Sequence, residues 1–400
     1  MPNKTLEKWE EKTLGNICDL QNGFAFSSKD YIEYSNTLNI RMSNIRPNGI
    51  FDETHNIKYL PDNYAELYKD YILNDGDLII AMTDMAGDPK ILGVPTVIKH
   101  KNKNQIFLMN QRVGRLLNFS EDISIAFLKY LLISPSIQKV YKSKGKGGVQ
   151  LNISKNDILS IKILIPNKIE QQRIVGILDE AFENIEKAKQ NALQNLNNAK
   201  ELFESYLDKA FTENTDNWNK YKVKDVCKYA KEQGHYNLPY VGMEHIKGST
   251  AEFIGSLDNT EVKSTTFHFD KGIILYGRLR PYLRKVILTT FEGHCSTELF
   301  PIKVNDKVNN KFLMYWLLSQ RITDKINATW TGARMPRANM NKVLEFDISI
   351  PSIMEQQKIV VQLDELQEQT KKLEQIYEQK IKDLDELKQS ILQKAFNGEL

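Results

Sequence analysis

The sequence predicts an α+β protein laid out as a tandem repeat: two similar globular domains, 1–166 and 214–351, separated by two long helices, 167–213 and 352–400. The helices are expected to pair as an antiparallel coiled coil with pseudo-twofold symmetry. Three observations predict this: an internal repeat, a heptad pattern closing each copy, and charge that alternates in step with both. A chain of 400 residues is in any case too long for one core, at roughly 100–200 residues per domain.

The repeat is read from self-similarity at a fixed spacing. Glu170-Gln171-Gln172-Arg173-Ile174-Val175 recurs as Glu355-Gln356-Gln357-Lys358-Ile359-Val360, a shift of 355 − 170 = 185. The same shift carries Pro166 to Pro351, Leu178-Asp179-Glu180 to Leu363-Asp364-Glu365, Lys209-Ala210-Phe211 to Lys394-Ala395-Phe396, Tyr130 to Tyr315, and Gly147 to Gly332. Towards the start of each copy the shift becomes 209, where Trp9, Leu14 and Cys18 face Trp218, Val223 and Cys227. The copies therefore share a frame and differ in the loops inside it.

Each copy opens with short apolar runs bounded by turn residues, Asp77 to Ala81 and Gly272 to Tyr276, which predict strands. An amphipathic helix follows at Ile125 to Leu132 and at Lys311 to Leu318. Next comes a glycine loop, Lys144-Gly145-Lys146-Gly147-Gly148 in one copy and Thr331-Gly332-Ala333-Arg334 in the other. A strand, Ile161 to Ile165 or Phe346 to Ile350, then runs out to the proline.

Beyond the proline begins the long helix. Leu363, Leu366, Thr370, Leu373, Tyr377, Lys380, Leu384, Leu387 and Ile391 step by three and four, as a coiled-coil seam does. The first copy places Leu178, Ala181, Ile185, Ala188, Ala192, Asn195, Ala199, Leu202 and Tyr206 at the equivalent positions. One seam is rich in alanine and the other in large side chains, which suits the two packing on each other. Asn195 and Lys380 fall mid-seam, where a polar residue fixes register. From Ile169 to Phe211 such a helix runs roughly 65 Å at ~1.5 Å per residue, enough to hold two domains apart.

The net charge of +3 conceals a strong pattern. Lys90 to Lys155 has twelve basic residues against two acidic, +10, and Val262 to Arg337 thirteen against five, +8. Glu170 to Glu213 has five against nine, −4, and Glu355 to Leu400 seven against ten, −3. Two basic globular zones alternate with two acidic helical ones, and basic faces of that density are the footprint of a polyanion.

Several function classes are excluded. No run approaches the ~18–20 apolar residues of a membrane span, and Met1-Pro2-Asn3-Lys4-Thr5 has no signal-peptide core, so a cytoplasmic protein without a membrane partner is expected. Cys18, Cys227 and Cys295 are odd in number and scattered, which predicts neither a disulfide framework nor a metal site. No catalytic constellation emerges: the glycine loop at Gly145 to Gly148 lacks the Ser or Thr of a phosphate loop, and no dinucleotide fingerprint follows a strand. Asn237-Leu238-Pro239-Tyr240 resembles the Asn-Pro-Pro-Tyr of amino-methyltransferases but has leucine for the first proline and no cofactor motif beside it. Asp62, Glu66 and Lys69 are wrongly spaced for a nuclease, and His235, His245, His268 and His294 read as structural or surface residues.

What remains is nucleic-acid chemistry. Arg278, Arg280, Arg284 and Lys285 crowd Gly277-Arg278-Leu279-Arg280-Pro281-Tyr282-Leu283-Arg284-Lys285. Arg334 and Arg337 flank the second glycine loop, while Lys142, Lys144 and Lys146 crowd the first, where glycines admit backbone N–H groups to phosphate. Lys90 opens the first basic zone, and Arg41, Asn44 and Arg46 have the side chains that read guanine and adenine edges. A coiled-coil adaptor whose basic faces bind an acidic protein, and a fused DNA-modifying enzyme, stand as alternatives.

With those residues in hand, the chain resembles the specificity subunits of Type I restriction-modification systems over essentially its whole length. The most specific parts are Ile165-Pro166 with Glu170-Gln171-Gln172-Arg173 and Ile350-Pro351 with Glu355-Gln356-Gln357-Lys358. The closing Lys-Ala-Phe of both helices, Asn22-Gly23-Phe24-Ala25-Phe26, and Arg280-Pro281-Tyr282-Leu283-Arg284-Lys285 are similarly typical. The prolines before each Glu-Gln-Gln are single rather than clustered. The resemblance implies that each globular domain reads one half of a bipartite, asymmetric site in double-stranded DNA. It implies that the helices set the unread spacer, and that the helix junctions dock two methyltransferase (modification) subunits, joined by restriction subunits. No cofactor is then expected on this chain, S-adenosylmethionine, ATP and magnesium belonging to the partners.

Overall fold

The computed structural model describes residues 9–213, 215–332 and 334–400. Met1 to Thr5, on which the expectation of a leaderless start rests, and Ala333 of the second glycine loop lie outside them. The chain divides into two compact units, Met1–Gln190 with Lys380–Leu400, and Asn191–Gln379. Each long helix is therefore shared, its first half lying in the unit of the domain that precedes it and its second half in the other. No helix among the described residues is long and apolar enough to cross a membrane.

In the first unit Leu78–Ala81, apolar at every position, is an inner strand buried on both faces. It belongs to a four-stranded sheet in the order 95–97, 78–81, 113–117, 19–22. A second sheet runs 59–60, 37–40, 106–109, 72–73, with Thr37–Ile40 and Ile106–Met109 parallel. Glu10–Thr13 pairs antiparallel with Lys162–Ile165, which delivers the chain to Pro166 and the first long helix, Lys168–Ala210. The helix Ile125–Leu132 buries Phe127, Leu128, Leu131 and Leu132, and Ser124 caps it.

The second unit repeats this topology: 286–288, 274–277, 299–304, 227–229 in one sheet and 259–260, 238–241, 293–295, 266–269 in the other. The parallel pair recurs, as Leu238–Val241 with Gly293–Cys295. One difference is an added edge strand, Glu232–Gly234. Asn219–Lys222 pairs with Asp347–Ile350, and the second long helix is Ile353–Phe396. Both copies also contain a helix that the apolar periodicity does not predict, Pro135–Lys144 and Gln320–Asn327. The first opens on a proline, whose fixed φ suits a first turn, and carries Lys142 and Lys144 on its last turn, not in an open loop.

Within the first unit the two helix halves run antiparallel. Arg173 donates to the Leu400 carbonyl at 2.8 Å while Lys189 meets Asp385 at 2.6 Å, so one numbering rises as the other falls. Leu178 and Ile185 are buried there, and Leu392, Ala395 and Phe396 complete the domain core, Phe396 edge-on to Phe127 at 5.5 Å. In the second unit Phe211 meets Phe312 at 5.1 Å in the same way. The closing Lys-Ala-Phe of each helix is thus a plug for a globular core.

The heptad seam holds only in part. Ala192 and Ala199 are buried as expected, but Leu202 and Tyr206 are 51% and 37% exposed while Phe203 and Leu207 are 7% and 0%. A 3.6-residue helix drifts ~20° per heptad against a strict 3.5 repeat, so by Phe203 and Leu207 the buried face has moved one position on, into a core shared by the globular domain and by Val360 and Leu363 of the second long helix. Asn195 and Lys380 are both exposed. Neither therefore occupies the buried seam position from which a polar residue fixes register.

Candidate nucleic-acid interface

In both units two loops lie side by side at the end of an inner strand. In the first, Thr83–Met85 continues from Leu78–Ala81 and pairs with Gln150–Asn152, and an isolated bridge joins Lys146 to Asn152. In the second, bridges join Leu279 to Arg337 and Thr331 to Arg337. Lys146 and Asn152 map onto Thr331 and Arg337 at the shift of 185, so the two glycine loops are one turn used twice. Its pivot needs glycine: Gly147 and Gly332 have φ of +133° and +90°, and a Cβ on Gly147 would stand 2.0 Å from the Gln150 carbonyl oxygen.

The loops are fastened by different chemistry. Asp84, buried, accepts the backbone N–H groups of Met85, Ile91 and Leu92 at 2.8, 2.5 and 3.1 Å and so closes the 85–92 loop. In the second unit Glu298 takes both Arg278, at 2.9 Å, and Arg337, at 2.9 Å, tying strand end to glycine loop. Burial pushes the Glu298 carboxyl up, but hydrogen bonds from Arg337 and Arg278 outweigh it and hold the group below the usual carboxylate range.

The basic candidates separate into two groups. Arg280, Arg334, Lys142 and Lys146 are exposed, and none has a side-chain hydrogen bond or ion pair to another described residue. Lys144 and Arg46 are half-buried, and Lys90 is exposed and 3.0 Å from Asp88. Lys90, Lys139 and Lys142 line a groove of about 510 Å³ beside Pro47 and Gln389.

The others are engaged inside the protein. Asn44 is buried, donating to the Asp52 and His55 carbonyls at 3.0 Å each and accepting the Arg41 N–H at 2.9 Å, so it braces a loop and reads no base. Arg41 donates to the Asn56 carbonyl at 2.8 Å and Lys285 to that of Met243 at 2.5 Å. Arg284, 6% exposed, is the clearest correction: its guanidinium donates to the Leu318 carbonyl and meets Glu204 at 2.8 Å. A charge so desolvated and paired is a strut, because freeing it would strand Glu204 as well.

The Glu-Gln-Gln junctions behave alike. Gln171 is wholly buried, its Nε2 donating to the Asp122 and Pro166 carbonyls at 2.9 Å each and its Oε1 accepting Ser124 N–H at 2.8 Å. Gln356 repeats this with Lys307, Pro351 and Asn309 at 3.1, 2.9 and 2.7 Å. These two glutamines rivet the helix starts to their own domains and are removed from the docking set. Gln172, Arg173, Gln357, Lys358 and Glu355 are exposed, Glu170 half-buried; Arg173 pairs with Glu170 at 2.7 Å and Lys358 with Glu355 at 3.6 Å. Tyr130 donates to Asp179 at 2.5 Å and Tyr315 to Asp364 at 2.6 Å, which explains the repeated Leu-Asp-Glu.

The doubtful catalytic motifs take structural places. Leu238–Val241 is a strand paired on both sides within a sheet, which gives Leu238, Pro239 and Tyr240 of Asn237-Leu238-Pro239-Tyr240 a structural place. Asp62 accepts Asn36 N–H and the Thr37 hydroxyl. His294 is fully buried and bonded to Thr266, Leu238 and Thr260. His268, Asp270 and Glu292 bring one ligand atom each within 4.8 Å of one another, on a rim where His268 already bonds Glu292 at 2.9 Å.

Sequence reasoning passed over the side chains at the loop tips: Met85 and Val149 in the first unit, 52% and 79% exposed, and Tyr282, Trp330 and Met335 in the second, 47%, 48% and 48%. The one available signal was Pro281-Tyr282, a turn that lifts an aromatic residue between two arginines.

Comparison with known proteins agrees with this geometry. The family described as Type I restriction modification DNA specificity domain matches twice, over residues 6–195 and 215–383. The specificity subunit of the Type I restriction enzyme EcoDI from Escherichia coli is 28% identical over 310 residues, 68% of this chain and 69% of that protein. The MjaVIII specificity subunit of Methanocaldococcus jannaschii is 28% identical over 201 residues, 50% of this chain and 45% of that one. Among solved structures, a chain from a type I R-M system, studied for its complex assembly and conformational transition, superposes with TM-score 0.71 at 17% identity, covering 98% of each chain. The HsdS subunit of Thermoanaerobacter tengcongensis gives 0.55 at 19%, covering 100% of this chain and 99% of that one. At such identities the likeness is one of fold.

Proposed function

The chain belongs to the Type I restriction modification DNA specificity family, and from that premise we propose that it is the DNA-reading subunit of a Type I restriction-modification complex. Its task is recognition and assembly, not catalysis. The domains 1–166 and 214–351 each read one half of a bipartite, asymmetric site. The helical segments 167–213 and 352–400 set the unread spacer and dock two methyltransferase subunits.

The observation that carries this is a shared frame with unlike tips. The same glutamine rivet, tyrosine-aspartate bond and glycine turn occur in both units, at Gln171 and Gln356, Tyr130 and Tyr315, Gly147 and Gly332. The exposed residues those frames present differ: Lys142, Lys146 and Val149 in one, Arg280, Tyr282 and Arg334 in the other. Equal frames with unequal reading surfaces suit a site whose halves differ. The exposed cations supply the sequence-independent part of the affinity, through counterion release.

Docking is supported by a second matched set. Ile169 and Met354, related by the shift of 185, are 80% and 67% exposed on the first turns of the two helices, with Gln172 and Gln357 and with Arg173 and Lys358 beside them. Two equivalent patches suit two copies of one partner. Restriction subunits join that assembly, and S-adenosylmethionine, ATP and magnesium are bound by the partners.

The test is methylation mapping of a host expressing this chain with its methyltransferase. Two unlike half-sites around an unread spacer are expected; a continuous or palindromic site would overturn the proposal. The purified chain alone should transfer no methyl group to DNA, and turnover with S-adenosylmethionine would remove the recognition-only claim.

A further inference from the structure

The segment Arg280 to Arg284 is built unlike its counterpart in the first unit. A single helical turn, Pro281–Leu283, is bracketed by two non-glycine residues in the left-handed region, Arg280 at φ +49° and Arg284 at φ +51°. The position of Arg284, two residues before Val286–Leu288, corresponds to Gly93, two residues before Pro95–Val97, and Gly93 adopts the same region at φ +73° without strain. Strained backbone of this kind persists only where the surroundings over-determine it.

Here they do. Arg284 is driven inward onto the Leu318 carbonyl and Glu204, Lys285 is tied to Met243, the Arg280 N–H donates to the Pro336 carbonyl at 2.8 Å, and Pro281 is buried. What the turn cannot bury is Tyr282. Its ring stands 6.5 Å from that of Trp330, edge to face at 82°, and each residue is nearly half exposed. The free guanidinium groups of Arg280 and Arg334 rise from the same two loops. In the first unit the corresponding loop, Ala86 to Leu92, contains no aromatic residue.

Rigid aromatic rings held out of the core beside unpaired cations fit a polyanion that also offers flat apolar faces, which is nucleic acid: bases stack on the rings and phosphates meet the guanidinium groups. We infer that Tyr282 and Trp330 form a stacking wedge through which the second domain takes a base step of its half-site out of regular stacking, while the first domain reads its half without such a wedge. This rests on the DNA-reading function proposed above.

The experiment uses the full chain assembled with its methyltransferase subunits and a duplex carrying the site returned by methylation mapping. 2-Aminopurine is placed at each position of both halves in turn. Apart from the target adenine that a methyltransferase subunit flips out in either half, binding should raise its fluorescence several-fold at one step, in one half only. Tyr282→Ala and Trp330→Ala should each abolish that rise and weaken binding roughly 10- to 100-fold, the range of a lost base–aromatic stack. Tyr282→Phe should retain both signals, which a mere folding defect in the alanine variants would not explain. Arg334→Ala should lower the salt dependence yet keep the rise. Tight binding with no rise outside the flipped target adenines, or such a rise untouched by both alanine variants, overturns the wedge and leaves the DNA-reading proposal standing. Failure of the wild-type complex to bind the mapped duplex overturns both.

Discussion

Replacing Gln356 by alanine should unfold the second unit far more easily than its place in a charged helix suggests. The wild-type carboxamide, fully buried, closes three hydrogen bonds at once, to the carbonyls of Lys307 and Pro351 and from the N–H of Asn309. Each such bond contributes about 1 kcal/mol net, and a stranded buried partner costs up to about 3 kcal/mol. With partial rescue by water, a loss of about 3–5 kcal/mol is expected, against a total stability of ~5–15 kcal/mol for a typical domain. At ~2 kcal/mol per molar urea this moves the midpoint down by roughly 1.5–2.5 M. Tryptophan fluorescence is the assay, since Trp218, Trp316 and Trp330 lie in the second unit and only Trp9 in the first. Gln356→Glu should be worse above pH ~5, because a carboxylate oxygen then faces two carbonyl oxygens. Its acid is held back from ionising, so the penalty grows as pH rises through the ordinary Glu value of ~4.3 and shrinks below it, where a protonated oxygen can donate again. Gln357→Ala, on the exposed face, is the control and should fall within about 0.5 kcal/mol of wild type. An alanine variant at position 356 that loses less than about 1 kcal/mol would refute the riveting role.

Three further outcomes are expected. Lys142→Ala with Lys146→Ala, or Arg280→Ala with Arg334→Ala, should each lower the slope of log K against log salt by about 1.8, at ~0.9 per phosphate contact; unchanged slopes would take those loops out of the interface. Glu298→Gln should destabilise the second unit at neutral pH. Because the folded pKa is depressed, that contribution is full above the ordinary Glu value of ~4.3 and is lost as pH falls through the lower folded value, so wild type and variant should converge in acid; a difference independent of pH would contradict the pairing with Arg337 and Arg278. Burial pushes the Cys18 and Cys227 thiols up to about 12 and also raises Cys295, so native protein should resist a thiol reagent at pH 8 and react fully once unfolded, fast labelling of the native chain being the contrary result.

The repeat made the frame legible. The shift of 185 located both helix starts, the paired tyrosines and the glycine turn, because those residues face the protein and repeat with it. The helix from Ile125 to Leu132 was bounded correctly since its apolar spacing and Ser124 cap act locally. What stayed hidden depends on partners remote in sequence. Nothing near Gln171 reveals that its amide meets Asp122, and nothing in Arg-Pro-Tyr-Leu-Arg-Lys says which arginine turns inward to Leu318 and Glu204. Residue type alone made Arg284 and Arg280 equal candidates, and both have left-handed backbone; the Leu318 carbonyl and Glu204 that hold the buried Arg284 guanidinium separate them. The seam misled near Leu202 because a strict heptad template ignores the drift of a 3.6-residue helix, which turns Phe203 and Leu207 inward to a core formed by the domain together with Val360 and Leu363.

In the proposed function the domains read and the helices measure. Seven residues inserted into each long helix, between Ala192 and Ala199 and between Leu373 and Lys380, lengthen each by about 10 Å at ~1.5 Å per residue, or about three base pairs at ~3.4 Å each. Methylation mapping with that variant should return the same two half-sites with a spacer about three base pairs longer. Altered half-sites, or the original spacer unchanged, would contradict it.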